Sequence, residues 1–258
     1  MLIMKDLVSD EYLSKKYPTR GSFVVQGKTV NIPAIYRGQG LTAIFPISYK
    51  KAADLIHSKD LKPARLSFTK ALLSITAFDF SESPIGPYTE LAYAIPVLYK
   101  PKFNIPLLPV LFSQSWKNLG FYVLDILQST KVAIEHGNQL TGYPHNNNLI
   151  DVHFVKDHSI LKITISDKFG DIINIKGLVT ESYKNVFQTY ATYFEKNGSL
   201  SKIQMDVYGD ETKMRDVNLQ LGKSKLADIA SAVVSTRPVQ ASYYPHVIEI
   251  NPVTLKHL

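Results

Sequence analysis

Two stretches of the chain combine residue types and spacings that could do chemistry. The first is GYPHNNN, residues 142–148, in which His145, Asn146 and two further asparagines follow Tyr143 and a proline. Histidine exchanges protons near neutrality, and an amide N–H can hold a developing oxyanion. The same composition also builds turns, because Pro presets φ and Asn tolerates the left-handed region. The second is YTELAYAIPVLY, residues 88–99. Strand side chains alternate between faces, so Tyr88, Glu90, Ala92 and Ala94 share one face, and Thr89, Leu91, Tyr93, Ile95 and Val97 the other. The small neighbours leave space in front of Glu90, which faces either solvent or a cavity.

The other common chemistries fail on spacing. Gly222-Lys223-Ser224 looks like the end of a phosphate-binding loop, but the glycine needed five positions earlier is Val217. There is no GxGxxG, GxSxG or HExxH. His153 and His158 flank a turn without a third ligand, so no metal site is expected. The absence of cysteine removes disulfides, thiolate nucleophiles and cysteine metal sites together.

The elements that must position these residues belong to one domain over 1–258. A hydrophobic fraction of 45% and an aromatic fraction of 11% support a large core. The net charge of +7 is scattered and densest over 50–70. No nucleic-acid-binding module accompanies it, so no nucleic-acid partner is expected and a mild preference for anionic ligands is. The apolar start is interrupted at Lys5 and Asp6, unlike a signal peptide. No 18-residue apolar run occurs, which leaves a cytoplasmic protein without a membrane span as the expectation. Asn197-Gly198-Ser199 matches a glycosylation acceptor and reads here as a turn.

Periodicity predicts a helix over 9–17 capped by Ser9, strands within 23–36 around Gln26-Gly27-Lys28, a strand over 41–47 and a helix from Ser48 ending before Lys62. A long bent or bulged strand is expected over 64–80, then the strand over 88–99. Residues 100–118 carry three prolines among apolar residues and suit a lid, a subunit contact or a self-packed loop. A hairpin of 119–127 and 131–136 follows, then a meander of 149–155, 160–166 and 172–179. A helix over 181–196, a strand over 202–208, a helix over 224–234 and a strand over 243–250 complete roughly ten strands and four helices, a β-rich, antiparallel α+β arrangement.

At this point the chain resembles the acetoacetate decarboxylase family. PIGPYTELAYAIPV (84–97) is similar to its signature strand, AIYRG (34–38) to its early strand, GNQLTGYP (137–144) to the segment before its catalytic lysines, and LADI (226–229) to a C-terminal segment. The resemblance covers most of the chain in order. It implies a cone-shaped antiparallel β-barrel with flanking helices and an inner cavity, in homo-oligomers. It also implies a cofactor-free mechanism in which a lysine, neutralised by desolvation with or without a cationic neighbour, forms a Schiff base with a 3-keto acid, and the iminium takes up the electrons as CO2 leaves.

Carried over residue by residue, the strand glutamate falls on Glu90, which favours the cavity wall over the solvent face. The two consecutive lysines fall on His145 and Asn146, neither of which forms a stable iminium. A second acidic residue falls near Leu73, and an arginine falls near Lys28 or Thr29, where Lys28 keeps the charge. The resulting expectation is an acetoacetate decarboxylase-like carbon–carbon lyase for a small oxo acid, with the lysine imine mechanism absent. Glu90 and His145 are its candidate acid/base residues, and Asn146, Tyr143 and Lys28 its candidate contacts to a small acidic or carbonyl ligand. The alternative is a non-catalytic small-molecule-binding barrel.

Overall fold

The computed structural model describes residues 8–107, 118–180, 182–196 and 198–258. Helix α1 (Asp10–Lys16) starts where Ser9 Oγ accepts the Tyr12 N–H at 3.1 Å, with acidic residues in its first turn and basic ones in its last. Strands β1 (Gly21–Val25) and β2 (Lys28–Ile32) form a hairpin whose turn residues Gln26 and Gly27 have φ of 46° and 79°. Next come β3 (Ala34–Ser48), α2 (Tyr49–Asp54), β4 (Leu61–Pro63), β5 (Lys70–Glu82), β6 (Tyr88–Tyr99) and β7 (Leu119–Gln128). Helix α3 (Lys131–Leu140) precedes β8 (His145–Leu149), β9 (Asp151–Asp157), β10 (Ile160–Asp167) and β11 (Gly170–Leu178). The chain ends with β12 (Lys184–Lys196), β13 (Ser199–Lys213), β14 (Arg215–Leu221), two short 3-10 turns and β15 (Gln240–His257).

Seven strands close a barrel in the order β6-β5-β3-β15-β13-β12-β7, with β7 returning to β6. The β-rich barrel expected from sequence is therefore present. Every junction in the ring is antiparallel except β12–β7, where Thr192 and Tyr193 pair in parallel with Phe121 and Tyr122. A second sheet, β14-β11-β10-β9, covers the outer wall. Ile75, Leu91 and Tyr93 from that wall pack with Ile163, Ile173 and Ile175 in the main core. The core thus lies outside the barrel, between two sheets, which leaves the interior free to be a cavity. Helix α3 and the β1–β2 hairpin cover one end, where Val25, Val30, Ala133 and Leu140 pack around Tyr36 and Tyr88.

Several elements differ from the sequence expectation. Residues 131–136 are helical, not a strand. Thr130 Oγ1 caps α3 by accepting the Ala133 N–H at 3.1 Å, and Ala133, Ile134, Gly137 and Leu140 form its buried stripe. The alternating β-branched residues of KVAIEH imitate a strand until the stripe is followed past His136. Residues 184–196 are strand, not helix. Their Val, Thr, Tyr and Phe side chains suit a pleated surface, and they pair without interruption with residues 199–211. The expected helix over 224–234 is reduced to 3-10 turns at Lys225–Ala227 and Ala230–Ala232, although Ser224 Oγ still accepts the Leu226 N–H. The expected strand over 64–80 begins only at Lys70, after a turn in which Leu66 and Ser67 donate to the Lys70 carbonyl. Of the 100–118 segment, Asn104 is tied to the Pro63 carbonyl at 2.9 Å, and residues 108–117 lie outside the described residues. Among the described residues no helix is long and apolar enough to cross a membrane.

The long β3 strand crosses β5 at a register shift beside Gly38. A Cβ on Gly38 would sit 2.0 Å from the Asp79 carbonyl oxygen and 2.7 Å from Phe80 Cα. Both contacts are backbone, so a side chain here forces the strands apart. Gly38→Ala is expected to cost about 2 kcal/mol, seen in thermal denaturation as a Tm lower by roughly 5 °C.

Candidate active site

The inner face of the barrel is built from alternate residues. Thr42, Ser74, Thr76, Ala92 and Ala94 are short side chains at positions where a filled barrel would carry branched apolar ones, and a cavity of about 640 Å³ opens between them. The face of β6 that carries Glu90 is the inner one. Glu90 is flanked in register by Phe78 on β5 and Gln128 on β7. Gln128 Nε2 donates to Glu90 Oε2 at 2.7 Å, and the Gln128 Oε1 has no hydrogen-bond partner. Glu90 is half-buried and borders the cavity. Desolvation pushes its carboxyl from 4.5 to about 7, with the Gln128 hydrogen bond opposing the shift.

A second carboxyl enters from β15. Glu249 pairs in register with Tyr36 on β3 and Val207 on β13, and accepts from Asn251 Nδ2 at 3.3 Å. Burial, followed by repulsion from Glu90, raises it to about 8. Tyr36, Tyr88 and Tyr143 surround the two acids, and burial holds all three phenols above their ordinary range. This end of the cavity therefore carries two carboxyl groups, two amides and three phenols. The one lysine bordering the cavity among the described residues is Lys202. It pairs with Tyr193, and its ammonium lies 5.8 Å from that ring's centroid, on the outer side of the wall.

Helix α3 brings two histidines to the same end. His136 Nε2 is 2.6 Å from the Tyr36 hydroxyl, and its ring stacks on Phe23. His145, at the start of β8, packs where only glycine leaves room, since a Cβ on Gly137 would lie 2.3 Å from its Cε1 and Nε2. Burial lowers both imidazoles to about 4, so both are neutral at neutral pH. The Gly137 backbone partly favours the His145 cation, but no well-formed hydrogen bond reaches either ring nitrogen.

The residues singled out in sequence thus separate. Glu90, Tyr143 and His145 line the cavity. Tyr143 is bonded to Thr192 Oγ1, and the hydrogen-bond partner of Glu90 is Gln128, not His145. Asn146 lies in a polar knot: its Nδ2 donates to Asp125 Oδ2 at 2.9 Å, and its Oδ1 accepts from the Asn148 amides. Lys28 is exposed on β2 and donates to the Ile85 carbonyl. Leu73 faces outward into the main core. Lys70 and Lys131 are exposed. Sequence reasoning missed Glu249, Gln128, His136 and Asn251. For Glu249 and Asn251 the one signal was the alternation in VIEIN (247–251), which places Val247, Glu249 and Asn251 on a common face.

The family profile described as acetoacetate decarboxylase (ADC) matches residues 17–257. The chain belongs to the acetoacetate decarboxylase family. Solved structures agree at low identity. Acetoacetate decarboxylase from Legionella pneumophila subsp. pneumophila str. Philadelphia 1 superposes with a TM-score of 0.64 at 12% identity, covering 95% of this chain and 94% of that one. A second acetoacetate decarboxylase structure gives 0.61 at 16% identity, covering 100% and 98%. The enduracididine biosynthesis enzyme MppR, bound to the condensation product of pyruvate and imidazole 4-carboxaldehyde, gives 0.58 at 9% identity, covering 87% and 88%. These likenesses concern the fold. Comparison with curated protein sequences returned no match.

The site fixes how stability responds to pH. The raised carboxyls stabilise the fold while protonated, and that contribution is lost as pH rises through their folded values of about 7 and 8. The lowered histidines contribute stability that is present above their ordinary value of 6.5 and lost as pH falls toward about 4. The two effects oppose one another on the acid side, and only the carboxyls act on the alkaline side. Stability should therefore fall by about 3 kcal/mol between roughly pH 6.5 and 8.5. In urea titrations across that range, Glu249→Gln should remove the larger part of the fall.

Proposed function

We propose that this member of the acetoacetate decarboxylase family is a carbon–carbon lyase that acts on a small oxo acid in the barrel cavity without an imine intermediate. The observation that carries the reading is Glu90, a cavity-lining, half-buried carboxyl held by Gln128 and raised to about 7, so that both of its protonation states are accessible near neutrality. The one lysine bordering the cavity among the described residues, Lys202, lies beside Tyr193 and makes no contact with Glu90, which supports the departure from the imine route.

In the proposed step, the bond between the carboxylate and the carbon next to the ketone breaks, and its electron pair forms the enolate. Protonated Glu90 gives its proton to the carbonyl oxygen, so an enol forms as CO2 leaves. The enol then takes at carbon a proton that derives from solvent, the one proton the overall reaction consumes, and returns its hydroxyl proton to Glu90, which restores the acid. Neutral His145 borders the same space without a hydrogen-bond partner and can accept one from an enol hydroxyl. The closed barrel and the α3 cap keep bulk water from the enolate. The proposal includes a homo-oligomer, with exposed Phe68 and Phe103 offering apolar contact surface.

Glu90→Gln is expected to lower turnover of 3-oxo acids by at least about 100-fold, within the usual range for loss of a general acid, while the fold persists. The wild-type rate should fall with rising pH around neutrality, following the protonated fraction of Glu90. Borohydride added during turnover should leave the mass of the protein unchanged. A lysine adduct, or full activity in Glu90→Gln, would overturn the reading. Saturable ligand binding with no turnover of any oxo acid would support a binding barrel instead.

A further inference from the structure

Glu249 and Asn251 form a second feature of the cavity, one that the lyase step leaves unused. Asn251 is 7% exposed and lines the cavity. Its Nδ2 is spent on Glu249, which leaves its Oδ1 without a partner. The Gln128 Oε1, on a side chain 2% exposed, is likewise without a partner at the same end. Both amides turn an N–H to a carboxyl, which leaves two buried amide carbonyl oxygens without a donor at this end of the cavity, beside the oxygens of Glu90 and Glu249. An ammonium group carries three donors and no acceptor.

The charges point the same way. Glu249 on β15 is faced by Glu90 and Tyr88 from β6, Tyr36 from β3, and Tyr143 from the segment after α3; the lowered histidines His136 and His145 stand neutral near them. No arginine borders the cavity among the described residues, and Lys202 lies on the outer side of the wall. Once Glu249 is ionised, an anionic group placed between it and Glu90 meets like charge in a low-dielectric space, whereas a cation meets opposite charge and favours that ionisation.

We infer that Glu249 and Asn251 form an ammonium-binding subsite, and that the substrate is an oxo compound carrying a primary amino group. The inference rests on the proposed reading of the barrel cavity as the ligand site. It divides labour between the two acids: Glu249 anchors the substrate's cation, and Glu90 remains the proton donor. The anchored ammonium offsets the charge of Glu249, so ionisation of Glu249 no longer opposes that of Glu90. For a lyase of oxo acids the substrate class becomes an amino-bearing 3-oxo acid, and release of CO2 leaves an amino ketone.

The test uses 4-aminobutan-2-one, which has the amino ketone form of such a product, beside uncharged butan-2-one and anionic acetoacetate. Calorimetric titration of the wild-type protein at neutral pH should show the amino ketone binding at least about tenfold more tightly than either comparison ligand. Its affinity should rise by about tenfold or more between roughly pH 6 and 8, with proton release, as Glu249 is converted to its charged form. Glu249→Gln should lose the preference. The wild-type comparison needs no variant, so misfolding of Glu249→Gln does not mask the result. Equal or tighter binding of acetoacetate, or an amino ketone affinity indifferent to Glu249→Gln, overturns the subsite. The binding assay is independent of turnover. Amino ketone binding without turnover preserves the subsite while the lyase reading fails, and turnover of acetoacetate with no amino preference does the reverse.

Discussion

The structure depends on keeping carboxyl groups inside a barrel in which, among the described residues, no cation is paired with them. Moving an ionised carboxylate from water into protein costs several kcal/mol unless it is paired. Glu90 and Glu249 meet that constraint by holding protons to unusually high pH, and each takes a single amide hydrogen bond, from Gln128 and Asn251. Closure of the sheet makes this tolerable. A seven-stranded ring has no open edge on its cavity side, so backbone polar groups are satisfied within the wall and the carboxyls alone decide the interior's electrostatics.

The cavity is available because cohesion was placed elsewhere. The aliphatic residues that would fill a barrel of this size face outward on β3, β5 and β6 and pack against the β14-β11-β10-β9 sheet. Among the larger side chains that line the interior, such as Ile44, Leu72 and Phe78, the short Thr42, Ser74, Thr76, Ala92 and Ala94 leave the space open. At the capped end, Phe23 and Tyr36 pack on His136, and Phe80 and Tyr88 pack on Tyr36, so aromatic rings desolvate the neighbourhood of the acids. Desolvation by the surrounding packing keeps Glu90 a weaker acid than an ordinary glutamate. Anything that admits water to this end should return both carboxyls toward their ordinary range.

Some of this was legible in the sequence and some was not, for physical reasons. Strand β6 was legible to the residue, because Glu90 and its alanines alternate with large apolar side chains; the alternation left solvent and cavity open, and the family resemblance favoured the cavity wall. The overall barrel followed from a resemblance spread along the chain. Helix α3 and strand β12 were read the wrong way round: a short run of β-branched residues looks the same in either structure, and only the longer stripe or the partner strand decides. Glu249 escaped notice because an acid between two isoleucines looks like a solvent-facing strand residue, and the barrel's handedness of in and out is set by partners far away in sequence. GYPHNNN divides within two residues: His145 turns into the cavity, and Asn146 turns to Asp125.

The central claim is that Glu90 holds its proton to neutrality inside the cavity. The direct measurement is a pH titration of side-chain carboxyl carbons by NMR in protein labelled with carbon-13 at glutamate, with the Glu90→Gln variant identifying the resonance. The account predicts a titration centred at about 7 for Glu90. A midpoint at the ordinary glutamate value of 4.5 would mean that the site is wet or cation-paired, and would contradict it.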